Sequence, residues 1–405
     1  MSSVKERFLR YVQIDTQSED DVEAVPSTEK QFDLARLLEK ELRALGAEDV
    51  RLDGHCCLTA AIPASDGRPR PVIGLIAHMD TVDAVSGANV RPVLTPGYDG
   101  GDIAMGPGYV LSPRQYPYLA RYKGQEIICS DGSTLLGADD KAGVAEIMAL
   151  AERLLQGKTG PHGRIRIAFT PDEEVGRGVD YFDVKDFGAD FAFTVDGGAL
   201  GDINFENFNA ADAAVHIQGV SVHTGTARGL MRNASLLAME LNAMLPPFED
   251  PACTDGYEGF YHLHRVSGCV DHADMLYILR DHDRNRFEER KALFAAAVAY
   301  MNRKYGEGTV ELRITDTYYN MKEKIDPALV ERIKEAMRRS GVEPLPSPIR
   351  GGTDGARLSY AGLPCPNICT GGHNFHGRYE FISTEAMEKV VEILENLVCD
   401  PSGEG

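Results

Sequence analysis

No apolar run in the 405-residue chain approaches 18 residues, so no segment is long enough to cross a membrane as a helix. The opening Met1-Ser2-Ser3-Val4-Lys5-Glu6-Arg7 has neither an apolar stretch nor a small-residue cleavage site, and no secretory signal is expected. Basic residues are scarce beside acidic ones. There are 42 Lys and Arg against 62 Asp and Glu, for a formal charge of −20. Nucleic acid and anionic membranes are bound through clustered Lys and Arg, so neither is expected as a partner. The eight cysteines form no C-x-x-C pair, and only Cys56 and Cys57 are adjacent. They read as reduced thiols of a cytoplasmic protein. Cys365 and Cys369 flank Pro366-Asn367-Ile368, a short apolar segment. Internal repeats are absent, and the short tail Pro401–Gly405 is the one low-complexity stretch. What is present is 43% apolar and 26% charged, the balance of a globular protein, with length for two or three domains.

Val4, Phe8, Tyr11 and Val12 fall on one helical face. A second helix is predicted from about Thr28 to Leu45, with Leu34, Leu38, Leu42 and Leu45 inward and Gly46 at the C-terminal cap. Pro71–Ala77 is short and nearly all apolar, as in a strand buried on both faces. Arg164–Thr170 and Phe191–Val195 read likewise, and a helix over about Asp140–Leu155 lies between strands. Strands alternating with helices predict an α/β sheet covered on both sides. After about Asn207 the order becomes βαββαβ, a ferredoxin-like α+β signature. After about Tyr318 the helix–strand alternation resumes, with a helix near Pro327–Ser340. The predicted organisation is therefore 1–207 and 319–405 as one domain, interrupted by an inserted domain at 208–318.

Acidic and imidazole groups gather at the ends of the predicted strands. His78 and Asp80 follow the first, Glu173 and Glu174 the second, and Asp196 the third. Asp139 and Asp140 stand where the helix begins. Sites in open α/β sheets form at the carboxyl ends of strands, so separate segments deliver these groups to one edge. Ionised carboxylates gathered in one place repel one another and need a cation. No Lys/Arg-rich segment accompanies them, which points to a divalent metal. Mixed imidazole and carboxylate donors suit zinc or a similar transition ion. Asp140 also suits a helix N-cap. Gly351-Gly352-Thr353-Asp354-Gly355 is a turn that lets backbone approach a ligand. His373 and His376 are both candidate ligands, and spacing does not choose between them.

The motifs His78-Met79-Asp80, Gly137-Ala138-Asp139-Asp140-Lys141-Ala142-Gly143, Thr170-Pro171-Asp172-Glu173-Glu174-Val175-Gly176, Thr194-Val195-Asp196-Gly197-Gly198 and His376-Gly377 resemble those of the M20 family of dinuclear zinc peptidases. Phe205–Ala210, Gly256–His262, Tyr318–Met321 and Ile349–Gly355 resemble its tripeptide aminopeptidase branch. The resemblance spans almost the whole chain. It implies a mixed sheet flanked by helices, with the inserted domain as a lid. It implies two Zn2+ per subunit, with Co2+ or Mn2+ as substitutes, held by His78, Asp140 as the bridge, Glu174, Asp196 and His376. His376 is chosen because the family ligand precedes Gly and lies four residues before Glu, here Glu380. A water between the ions would have its pKa lowered from about 15.7 toward about 7, giving hydroxide as nucleophile. Three carboxylate ligands and that hydroxide balance two divalent ions. Glu173 resembles the general base, and Asp80 the residue that orients His78. In the lid, His223 matches an oxyanion-stabilising histidine and Arg280 a carboxylate clamp, with Arg350 a second candidate. Thr224 follows His223 where this branch often has proline. The implied substrates are small peptides, chiefly tripeptides cut after the N-terminal residue. Related dipeptidase or acyl-amino acid deacylase activities share the metal motifs. A monomer or homodimer is implied.

Overall fold

The computed structural model describes residues 3–400, so the Pro401–Gly405 tail lies outside the described residues. The chain forms two compact units. One comprises the residues up to Phe205, Lys324–Ser347 and those from Thr353 on; the other comprises Glu206–Glu323 and Pro348–Gly352.

The first unit is built on an eight-stranded mixed sheet. At its centre Ile165–Thr170, Ile73–His78 and Phe191–Gly197 run parallel, with His78 in register with Thr170. Ile73–His78 and Ile165–Thr170 are buried at every position, Arg166 of the second included. The helix Val4–Tyr11 starts at a capping box: Glu6 N–H donates to Ser3 Oγ (3.2 Å) and Ser3 N–H to Glu6 Oε2 (2.8 Å). The helix Gln31–Leu45 begins three residues after the expected Thr28 and ends at Gly46, whose φ of 89° suits glycine. The helix Ala138–Leu155 is buried almost all round. Its first turn depends on Gly143, where a Cβ would stand 1.9 Å from the Val195 carbonyl oxygen and 2.5 Å from Asp140 Oδ1. Glycine there lets the helix start press against the strand that carries Asp196.

A second, four-stranded sheet in this unit has no counterpart in the sequence expectations. Its order is Gly372–His373, Phe381–Ser383, Ile127–Ser130, Pro92–Thr95. These strands are two to four residues long, too short for a periodic signal. Pairing of Phe381 with Cys129 brings the loop before Phe381 beside the loop leading to Asp139.

The second unit has the βαββαβ order: strand Asn209–Gln218, helix Ala234–Ala243, strands Phe260–Gly268 and His272–Asp281, helix Arg284–Tyr305, strand Val310–Tyr318. All its strand pairs are antiparallel, with Phe260–Gly268 at one edge and Val310–Tyr318 at the other. Its bounds are wider than 208–318, and it takes in Arg350, expected in the other domain. The reason is local. Ile349 N–H donates to Glu206 O (2.8 Å), and the Arg350 guanidinium is bonded to the loop at Thr254–Glu258. The asparagines of the 205–210 motif close the same unit: Asn207 Oδ1 accepts Met321 N–H (2.7 Å) and Asn209 Oδ1 accepts Asn320 N–H (3.0 Å). No helix among the described residues is long and apolar enough to cross a membrane.

Candidate metal centre

The carboxyl ends of the three central strands bring His78, the Glu173–Glu174 turn and Asp196 together, and the second sheet adds Asp139 and His376. His78 is 2% exposed. Its Nδ1 faces Asp80, 3.1 Å from the main-chain oxygen and 3.3 Å from Oδ1. Its Nε2 faces inward, 3.0 Å from Asp139 Oδ1 and 3.5 Å from Asp196 Oδ1. On the other side His376 Nε2 lies 3.0 Å from Asp139 Oδ2 and 3.1 Å from Glu174 Oε2. Asp139 therefore places one oxygen on each histidine.

That is the place expected of Asp140. Asp140 instead turns both oxygens to main chain: Oδ2 accepts His78 N–H (3.1 Å) and Oδ1 accepts Gly143 N–H (3.2 Å). One potential ligand atom each from His78, Asp139 and Glu174 lie within 4.8 Å of one another, as do those of His78, Asp140 and Asp196. Nothing in two adjacent aspartates tells which carboxylate the backbone occupies.

Asp80 is fully buried and does two things at once. Besides facing His78, its Oδ1 accepts Glu173 N–H (3.0 Å) and its Oδ2 accepts Glu174 N–H (3.2 Å). Glu380, used in the sequence only to choose His376, takes three main-chain donors. Leu136 (2.8 Å) and Gly137 (2.7 Å) bond to its Oε2, and Asp139 (3.0 Å) to its Oε1. It thereby ties the His376 loop to the Asp139 loop. His373 is turned away, with Nε2 2.6 Å from the Tyr122 hydroxyl and its ring stacked on Tyr118 and Phe381.

The site demands positive charge. Burial, then the neighbouring Asp196, push Asp140 and Glu173 well above the ordinary carboxylate range. Burial and Asp139 lift Glu174 to about 7. Burial also raises Asp196, against the hydrogen bond from His78. For Asp139 burial acts upward too, but His376 and His78 hold it below the usual range. In return Asp139 and Glu174 lift His376 to about 11. Lys141, next in sequence, turns away and donates Nζ to the Ile14 carbonyl (2.7 Å). Glu174 Oε1 is buried with no hydrogen-bond partner. A buried orphaned oxygen within a mixed imidazole–carboxylate set is what a pair of divalent transition ions would satisfy.

A profile described as peptidase family M20/M25/M40 matches residues 135–400. The chain belongs to that family. Proteins named peptidase T resemble it along almost their full length. The one from Alkaliphilus oremlandii is 51% identical over 404 residues, covering 98% of this chain and 99% of the relative. That from Desulfitobacterium hafniense is 53% identical over 403 residues, covering 98% of each. Among solved structures, aminopeptidase PepT from Bacillus cereus ATCC 10987 superposes with a TM-score of 0.78 at 24% identity, over 98% of this chain and 97% of that one. A tripeptidase from Staphylococcus aureus gives 0.77 at 21%, over 98% and 96%. These structural likenesses show a shared fold.

The remaining expected residues belong to the second unit. His223 is exposed and caps the short turn Thr224–Thr226, its Nδ1 accepting Gly225 N–H (3.1 Å). Arg280 donates one terminal nitrogen to the Arg350 carbonyl oxygen (2.9 Å), and its buried Nε has no partner. Arg350 has both terminal nitrogens engaged. One bonds to Gly256 O (2.8 Å) and Glu258 O (3.1 Å), the other to Thr254 O (3.3 Å) and Thr254 Oγ1 (3.0 Å).

Proposed function

We infer that this protein is a metal-dependent tripeptide aminopeptidase of the M20 family. The observation that carries the chemistry is the Asp139 carboxylate, one oxygen on the His78 side and one on the His376 side. His78 and Asp196 would hold one divalent ion, Glu174 and His376 the second, with Asp139 between them in place of the expected Asp140. Zinc suits these donors, with Co2+ or Mn2+ as substitutes. Such a pair, when bound, supplies Lewis acidity and lowers the pKa of water.

The chain's own residues do the rest. Asp80 holds the His78 ring so that Nε2 points inward, and through two main-chain bonds it fixes the turn that presents Glu173. The Glu173 carboxylate takes a proton from the attacking water and returns it to the leaving amine. Arg280, with donors to spare, binds the peptide carboxylate. Arg350 supports it by holding the Thr254–Glu258 loop, because both of its terminal nitrogens are committed there. His223, whose Nδ1 accepts Gly225 N–H, offers its other ring nitrogen to the oxyanion. The protein acts in the cytoplasm; its eight cysteines are all unpaired, in keeping with a reducing compartment.

The test is hydrolysis of di-, tri- and tetrapeptides and acyl-amino acids, with metal analysis, before and after chelation. Tripeptides are cut fastest, with activity lost on chelation and restored by zinc. Fast acyl-amino acid turnover without tripeptide cleavage contradicts the assignment and favours a deacylase.

A further inference from the structure

Asp172, the residue before Glu173, sits in a fully buried polar cluster that the chemistry above does not use. Asp172 and Gln31 are 0% exposed and Ser27 is 8% exposed. Asp172 Oδ2 accepts Ser27 N–H (2.6 Å), while Oδ1 accepts the Ser27 hydroxyl (2.6 Å) and Gln31 Nε2 (2.7 Å). Gln31 Oε1 in turn accepts Asp172 N–H (3.2 Å). With Asp80 taking the next two N–H groups, three consecutive main-chain donors, Asp172 to Glu174, go to side chains from distant segments.

The backbone gives a second reason to read this as placement. Asp172 has a φ of 48°, the left-handed region that favours glycine. Such a conformation is uncommon in a non-glycine residue and persists where the surroundings enforce it. Here the enforcing group is the carboxylate itself, locked by Ser27 and Gln31. The turn is closed by Gly176 N–H on Glu173 O (2.7 Å) and Arg177 N–H on Asp172 O (2.9 Å). The segment Ile14–Gln31 also holds the other loops of the site. Ile14 O accepts Lys141 Nζ (2.7 Å), and Thr16 donates its hydroxyl to Met79 O (2.7 Å).

We propose that Gln31 and Ser27, acting through Asp172, are positioning residues for Glu173. They fix where its carboxylate lies relative to the attacking water. The proposal rests on the reading of Glu173 as the general base. A misplacement of about 1 Å is enough to cost up to about 100-fold in rate, so loosening one flank of the turn should reach turnover before binding.

The experiment is a double-mutant cycle on the holoenzyme, with kcat and KM on one tripeptide and metal content measured for each variant. Gln31→Ala should lower kcat about tenfold with KM within about twofold and metal content unchanged. Placed in Glu173→Ala, it should lower the residual rate by less than about twofold, since there is no base left to misplace. Ser27→Ala, which keeps the main-chain donor, should show the same pattern at about threefold. It carries the test if Gln31→Ala does not accumulate folded. Unchanged kcat in both single variants overturns the proposal. So does an equal loss in the Glu173→Ala background, or a loss that tracks metal content. Full activity of Glu173→Ala itself refutes the base, and the positioning role with it; an inactive Glu173→Ala with an additive second loss refutes the positioning alone.

Discussion

Every residue of the strand Ile73–His78 is buried, whereas Asn209–Gln218 in the other unit exposes Asp212, Ala214, His216 and Gln218 in turn. The first strand is covered on two faces and the second on one. This difference decides where chemistry can sit. A strand with no free face can present functional groups only at its end, and His78, Glu173, Glu174 and Asp196 all lie at or just beyond strand ends. A sheet with one open face can carry polar groups along its length, as Asp212, His216 and Gln218 do. The metal centre is accordingly a closed network in which nearly every polar atom is engaged, while the groups assigned to peptide binding keep spare donors.

Four substitutions sharpen or break this contrast. Leu75→Ala, in the doubly covered strand, should cost about 2–5 kcal/mol of stability, read as a shift in denaturant midpoint. A cost below about 1 kcal/mol would mean the strand is less confined than its burial indicates. Glu173→Ala should cut tripeptide hydrolysis by at least about 100-fold while metal content stays near normal. Arg280→Ala should raise KM about tenfold or more, from loss of a charged hydrogen bond, without moving metal content. An unchanged KM would remove Arg280 from the substrate. Ala214→Ser, on the open face, should change stability by less than about 0.5 kcal/mol.

Much of the first unit is legible in the sequence because its central strands are largely apolar and have acid or histidine at or soon after their ends. Ile73–His78 followed by Asp80 announces both the strand and the site. The second sheet is not legible, since strands such as Phe381–Ser383 are three residues long and give no period. The choice between Asp139 and Asp140 is not legible either. Two adjacent carboxylates differ here only in which one meets the main-chain donors of His78 and Gly143. Arg350 was misplaced for a similar reason. Five residues of chain, Pro348–Gly352, belong to the second unit because of contacts with Glu206 and the Thr254–Glu258 loop, partners far upstream in the sequence. The role of Asp172 is not legible because its partners, Ser27 and Gln31, lie far upstream at an otherwise ordinary helix start.

Asp139 faces both histidines and would lie between the two ions, while Asp140 holds main chain beside them. Metal content of Asp139→Asn and Asp140→Asn, measured by plasma mass spectrometry on protein purified without chelator, tests it most directly. Asp139→Asn should lose most of its metal, while Asp140→Asn should keep nearly the wild-type content and melt at a lower temperature. Asp139→Asn with a full complement of metal, beside an Asp140→Asn that has none, would contradict it.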